Sequence, residues 1–107
     1  MPNQQSKYQL LKSLEQDSNL TQRQLSKELG ISLGKVNYCL QSLIQIGLVK
    51  VNNFKNSKNK TQYSYLLTPK GVAEKTKLTI EFLQVKTKEY EALKKEVERI
   101  QNAKTSK

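Results

Sequence analysis

Histidine and tryptophan are absent from these 107 residues, and cysteine and methionine occur once each. With no histidine and a lone Cys39, the chain lacks the usual ligands of a zinc site, a partner for a disulfide, and any Ser/His or Cys/His pair for nucleophilic catalysis. No metal, cofactor or enzymatic activity is therefore expected. No apolar run approaches a membrane span, and the opening MPNQQSKYQ lacks the apolar segment of a signal peptide, so the expectation is a cytoplasmic protein with no membrane partner. Acidic residues are also scarce, 9 against 19 Lys and Arg, giving a net charge of +10. A surplus of that size points to a polyanion, and nucleic acid comes first. The excess is uneven: residues 1–20 balance, residues 21–54 carry +3, and the seven residues 55–61 carry another +3. A merely solubilising charge would be spread more evenly.

The stretch Thr21 to Gln41, TQRQLSKELGISLGKVNYCLQ, organises the rest. Leu25 and Leu29 stand four apart on one helical face, and Val36, Cys39, Leu40 and Leu43 form the stripe of a second helix. Thr21 with Gln24 three residues on is a capping-box start, and Ser32 suits the N-cap of the second helix. Gly30 lies where the first helix must stop and the chain turn, a place that favours positive φ. The pattern is a helix-turn-helix. Once its stripe is buried, the second helix leaves Gly34, Lys35, Asn37, Tyr38, Gln41 and Ser42 outside, a polar face with no acid. Asn and Gln can pair with adenine, Lys can reach guanine or phosphate, and Tyr38 can meet a thymine methyl. A polar outer face is also what any surface helix shows, so the charge distribution decides in favour of DNA. Cys39 on the apolar stripe reads as a small core residue; a redox-sensing thiol is the alternative, with only lysines near to lower its pKa.

Around this pair, Tyr8, Leu10, Leu11 and Leu14 mark an amphipathic first helix from an N-cap at Ser6 to about Asp17, after five loose polar residues. The three helices can close a core around Leu11, Leu14, Leu25, Leu29, Val36, Leu40 and Leu43. A unit of about 70 residues sits near the lower limit for a self-sufficient core, so help from a partner subunit is expected. Gly47 ends the third helix. LVKVNNF then alternates with Val49 and Val51 on one side, and QYSYLLT answers with Tyr63, Tyr65 and Leu67 together. Between them KNSKNKT holds Lys55, Lys58 and Lys60 among asparagines. A β-hairpin with a basic tip directly after a helix-turn-helix is the wing of a winged-helix domain. Its lysines could be no more than a solvated loop, but their number and place favour phosphate contact.

LTQRQLSKELGISLGKVNYCLQSL, IGLVKVNNFKNSKNK and YLLTPKG together resemble the MarR-type winged-helix proteins found with exopolysaccharide gene clusters, the small EPS-associated transcriptional regulators. The resemblance runs from about Tyr8 to the region of Tyr90; GKVNYCL and NFKNSKNK are its specific segments, and L-T-P-K-G is shared by many winged-helix regulators. It implies a regulator of surface-polysaccharide genes that binds double-stranded DNA, with Ser32 to Ser42 as recognition segment and Lys55 to Lys60, Asn56 included, as wing. Thr21, Gln22 and Arg23, opening the preceding helix, complete the expected contact set. Larger MarR proteins add helices around a ligand pocket; this chain is too short to supply most of them, so a small-molecule effector is not expected.

After Pro69 at a first helical position there is no further proline, and none but Gly71 among glycines, so one helix from Lys70 to about Lys104 is expected. Val72, Leu78, Phe82 and Val85 are available to dock its start. Leu83, Lys86, Tyr90, Leu93, Val97 and Ile100 alternate by 3 and 4, a coiled-coil seam; with Phe82 they form the expected dimerisation set. Glu89 would face Lys94 of the partner in a parallel pair, whereas an antiparallel pair brings like positions together. The expected architecture is mainly α with a small β-hairpin: a winged helix-turn-helix domain over residues 1–68, its wing at about 48–68, then a long helix over 69–107 that pairs two copies and ends in a loose tail. Two functions compete. In one, a homodimer reads a roughly palindromic DNA site; in the other, the winged helix is an interaction module for RNA or a protein partner. The acid-free face and basic hairpin favour the first, since only Leu33 offers the apolar exposure that the second would use.

Overall fold

The computed structural model describes residues 3–55 and 61–105. Three helices come first: α1 (Gln4–Gln16), α2 (Gln22–Leu29) and α3 (Leu33–Gln45). Strands β1 (Val49–Lys55) and β2 (Thr61–Leu67) follow as an antiparallel hairpin, and α4 (Pro69–Thr105) completes the chain. This is the winged helix-turn-helix expected from the sequence.

Local chemistry explains most boundaries. At the start of α2, Thr21 accepts a hydrogen bond from the Gln24 amide at 3.1 Å, and the Gln24 side chain accepts one from the Thr21 amide at 2.8 Å. Gly30 ends that helix in the left-handed region, φ 67°, and the corner is tied by the Ser26 hydroxyl, which donates to the Ile31 carbonyl at 2.5 Å. Ser32 caps α3 by accepting from the Lys35 amide. At the far end of α3, Gly47 takes φ 80° while the Leu48 amide reaches back to the Leu43 carbonyl and the Gly47 amide to that of Ile44. That pair of bonds is the glycine-dependent helix stop. The N-cap of α1 departs from expectation: it is Asn3, whose side chain accepts from the Ser6 amide at 2.7 Å, and residues 4 and 5 belong to the helix. Asn and Ser cap equally well, and starting earlier puts Ser6 on the buried stripe with Leu10, Ser13 and Leu14, where a small side chain fits.

The core is one cluster: Leu10, Leu11 and Leu14 from α1, Leu25 from α2, Val36, Cys39, Leu40 and Leu43 from α3, then Leu48, Val49, Tyr65 and Leu78. Leu29, expected inside, packs at its edge. In the hairpin, Val49 opposite Leu67 and Val51 opposite Tyr65 set the register. Val49 and Tyr65 are buried, but Val51, on the other strand opposite Tyr65, and Tyr63, further out along β2, are exposed. The loop between α1 and α2 runs beside β2: the Tyr65 amide donates to the Ser18 carbonyl at 3.0 Å and the Ser64 hydroxyl to Asn19 at 2.8 Å. The base of the wing is thereby held on both flanks.

The segment Thr68-Pro69-Lys70-Gly71 joins α4 to the end of α3. Thr68 caps α4, accepting from the Gly71 amide at 3.0 Å, and its hydroxyl donates to the Gly47 carbonyl at 2.6 Å. Lys70 Nζ donates to the Ile46 carbonyl at 3.1 Å, where the last carbonyls of α3 need a donor. Gly71 is buried flat against Leu48, and a Cβ there would collide with the Leu48 carbonyl. Leu78 then enters the core, Phe82 meets Tyr8 edge-on with ring centroids 5.2 Å apart, and ion pairs Lys7–Glu74 and Lys75–Glu15 lie on either side. Val72 and Val85, expected to dock, are exposed. Val72 follows Gly71 and so is turned about 100° from the contact, while Val85 lies past the point where the helix leaves the domain. The overall dimensions, 76 × 26 × 23 Å, are set by α4, which at 37 residues is about 55 Å long.

Candidate nucleic-acid interface

With Val36, Cys39, Leu40 and Leu43 fully buried, α3 turns Ser32, Gly34, Lys35, Asn37, Tyr38 and Gln41 outward, all exposed. Gly34 is not required by packing, since a Cβ there would meet nothing within 4 Å. No Asp or Glu occurs in α3, and the acid of α2, Glu28, accepts a hydrogen bond from Ser13 on α1. The outward side is thus positive and rich in amide and hydroxyl groups.

The expected contact residues divide by what already holds them. Lys35 and Gln41 stand in solvent. Tyr38 is 52% exposed, its ring on the outer face. Ser42 is half-buried and its hydroxyl donates to the Tyr38 carbonyl one turn back, so it serves the helix itself. Thr21 is engaged in the capping box, and Arg23 is exposed beside it, lining a shallow depression with Gln24, Ser26, Lys27 and Leu33 between α2 and the start of α3. Gln22 is half-buried, and its Nε2 donates both to Asn37 Oδ1 at 3.3 Å and to the Tyr65 hydroxyl at 3.2 Å. One amide thus joins α2, the outer face of α3 and the base of the wing. Of the wing residues, Lys55 ends β1; its side chain, and the whole of Asn56, Lys58 and Lys60, lie outside the described residues.

Tyr65 was visible in the sequence as an apolar-facing strand residue, but its link to the interface was not. A tyrosine on the buried side of a hairpin base still needs a partner for its hydroxyl, and that need is the signal that leads to Gln22. Cys39 is fully buried, and burial pushes its thiol up, with Lys35 pulling only partly back. A reactive thiolate is disfavoured there, and the residue acts as a small apolar filler. Among the described residues no cluster of His, Cys, Asp and Glu could hold a metal ion, and no helix is long and apolar enough to cross a membrane.

The expected dimerisation residues are also separated by the structure. Phe82 is half-buried against its own domain. Leu83, Tyr90, Leu93, Val97 and Ile100 are each between 47% and 67% exposed, and Lys86 pairs with Glu89 of the same helix at 3.5 Å.

Residues 4–50 match the winged helix-turn-helix DNA-binding family model. Among curated proteins none matches the sequence. Similar solved structures include a PadR-like transcriptional regulator from Bacillus cereus (18% identity, TM-score 0.73, covering 82% of this chain and 90% of that one). The adhesin competence repressor of Streptococcus pyogenes is similar over 99% of this chain and 78% of its own, at 22% identity and TM-score 0.66. A mutant MarR from E. coli complexed with operator DNA is 25% identical with a TM-score of 0.56, over 68% of this chain and 51% of that one. The fold is thus the winged helix-turn-helix that these proteins share.

Proposed function

We propose that this protein is a sequence-specific DNA-binding transcriptional regulator that acts as a homodimer, with α3 in the major groove and the wing on the flanking backbone. The observation that carries the reading is the outer face of α3: Lys35, Asn37, Tyr38 and Gln41 exposed together, with no acid on the helix and the hairpin beside it. Such side chains meet base edges, while Arg23 and the wing lysines Lys55, Lys58 and Lys60 supply the phosphate contacts that set register. The bare Gly34 lets the start of the helix come close to the DNA.

Two copies pair through α4. Its exposed residues Val72, Thr76, Thr79, Leu83, Lys86, Tyr90, Leu93, Val97 and Ile100 follow one another by 4 and 3 along one stripe, so the seam begins a turn after the cap. Paired recognition helices then address half-sites about 34 Å apart. The target genes, those for exopolysaccharide or other surface polysaccharide, follow from the resemblance of GKVNYCL and NFKNSKNK.

The test is footprinting and titration of the purified protein on fragments from upstream of its own gene and on random duplex of equal length, across a range of salt. A protected pair of half-sites with a steep salt slope is expected. Replacing Asn37, Tyr38 or Gln41 by Ala should cost ~1–3 kcal/mol on the preferred site and little on random DNA. Equal, weak binding to every duplex would turn the reading toward RNA or a protein partner.

A further inference from the structure

We propose that Gln22 is a positioning residue for base readout, fixing which edge of the Asn37 amide meets the DNA. This rests on the DNA-binding reading above and adds to it the class of base selected. Gln22 Nε2 donates to Asn37 Oδ1 at 3.3 Å, and its second proton goes to the Tyr65 hydroxyl at 3.2 Å. Tyr65 is anchored in turn: its ring is in the core and its amide donates to the Ser18 carbonyl. Gln22 is therefore held from the wing side and holds Asn37 from beneath. With its carbonyl directed to Gln22, exposed Asn37 has Nδ2 at the other edge of the amide, with no partner among the described residues.

An asparagine that reads adenine uses both edges at once, accepting from N6 and donating to N7. With one of the two lone pairs of its carbonyl taken by Gln22, Asn37 has a single acceptor site left beside its two NH2 donors, and so offers donors first. The position read by Asn37 is then one that presents acceptors to the major groove, guanine with N7 and O6 or thymine with O4, in preference to adenine's mixed edge. The specificity of α3 is set in part by a residue of α2 that makes no base contact.

The experiment is selection from a duplex pool randomised over two half-sites, run with the wild type, Asn37→Ala, Gln22→Leu, Gln22→Glu and Tyr65→Phe, each confirmed as folded by its thermal melt. The position at which Asn37→Ala erases the preference identifies the base that Asn37 reads. There the wild type is expected to select guanine or thymine. Gln22→Leu keeps the bulk but removes both hydrogen bonds, and should blur that preference roughly 3- to 10-fold while binding random duplex as before. Tyr65→Phe should do the same more weakly. Gln22→Glu introduces a carboxylate that can only accept, so it draws in the Asn37 NH2, turns the carbonyl outward and shifts the preference toward adenine or cytosine, which present donors. Selection of adenine by the wild type would overturn the proposal, as would a Gln22→Leu protein that weakens on all sequences alike with its preference intact, the behaviour of a phosphate contact. If the wild type enriches no duplex at all, the DNA-binding reading itself fails and this inference falls with it.

Discussion

The two halves of α4 bring similar residues into opposite surroundings. From Pro69 to Phe82 the helix buries Gly71 and Leu78, lays Phe82 on Tyr8, and adds two ion pairs to α1. From Leu83 to Lys104 every residue is exposed, although Leu83, Tyr90, Leu93, Val97 and Ile100 are as apolar as anything in the first half. The docked half is explained by its own chain; the outer half carries an apolar stripe that its own chain leaves exposed, the seam proposed above for a second copy. Periodicity alone cannot tell these cases apart, since an apolar stripe on a helix says that something covers it without saying what.

The comparison can be broken at either end. Leu78→Ala should have the largest effect on folding, about 2–5 kcal/mol in urea denaturation, because it empties a fully buried site where α4 meets the core. A loss well below that range would mean the docked half contributes little. Leu93→Asp should leave the melt of the winged domain unchanged yet give monomers in sedimentation and, with half-sites no longer linked, about a 100-fold loss of operator affinity. A dimer that survives the change would place the interface elsewhere. Gly71→Ala should destabilise by about 1–3 kcal/mol, since the new methyl collides with the Leu48 carbonyl, whereas Gly34→Ala enters open space and should leave stability unchanged or slightly raised. Equal melting temperatures for the two variants would contradict the close approach at Gly71.

The smallest effect is expected at Lys75. Its hydrogen bond to Glu15 raises its pKa above the usual lysine value, partial burial opposing, so the folded state favours the charged form. That contribution is fully present below the unfolded value near 10.5 and is lost as pH rises through the raised folded value. The pair is partly exposed, at 2.8 Å with side chains 23% and 38% accessible, so solvent screening holds it to a few tenths of a kcal/mol, ~1 at most. Lys75→Met should therefore be slightly less stable than the wild type at pH 8, and the gap should close as pH rises through the raised lysine value. A gap that persists unchanged in strong alkali would assign the effect to packing.

Local rules made much of this legible. The capping box at Thr21, the cap at Ser32, Pro69 at the first position of α4, the positive φ of Gly30 and Gly47, and the stripe Val36, Cys39, Leu40 and Leu43 each follow from chemistry within a few residues. What sequence reading missed depends on distance along the chain. Ser6 competed as a cap with Asn3, and tertiary packing drew Ser6 inside. Val72 read as a docking residue because Gly71 has no side chain to announce a contact, although that lack of a side chain is what allows the contact. At the candidate interface the outward set Lys35, Asn37, Tyr38 and Gln41 could be read from helical phase. The Gln22–Asn37–Tyr65 link could not, because it spans 43 residues and joins three elements.

Thr68, Lys70 and Gly71 all grip the segment Ile46 to Leu48 that closes α3, so the course of α4 out of the domain is fixed by the backbone atoms at the end of that helix. No linker lies between them to absorb a twist. The joint at Ile46 to Leu48 is a fulcrum, and torque applied far out on α4 would arrive at Asn37 and Gln41 as rotation of the whole face.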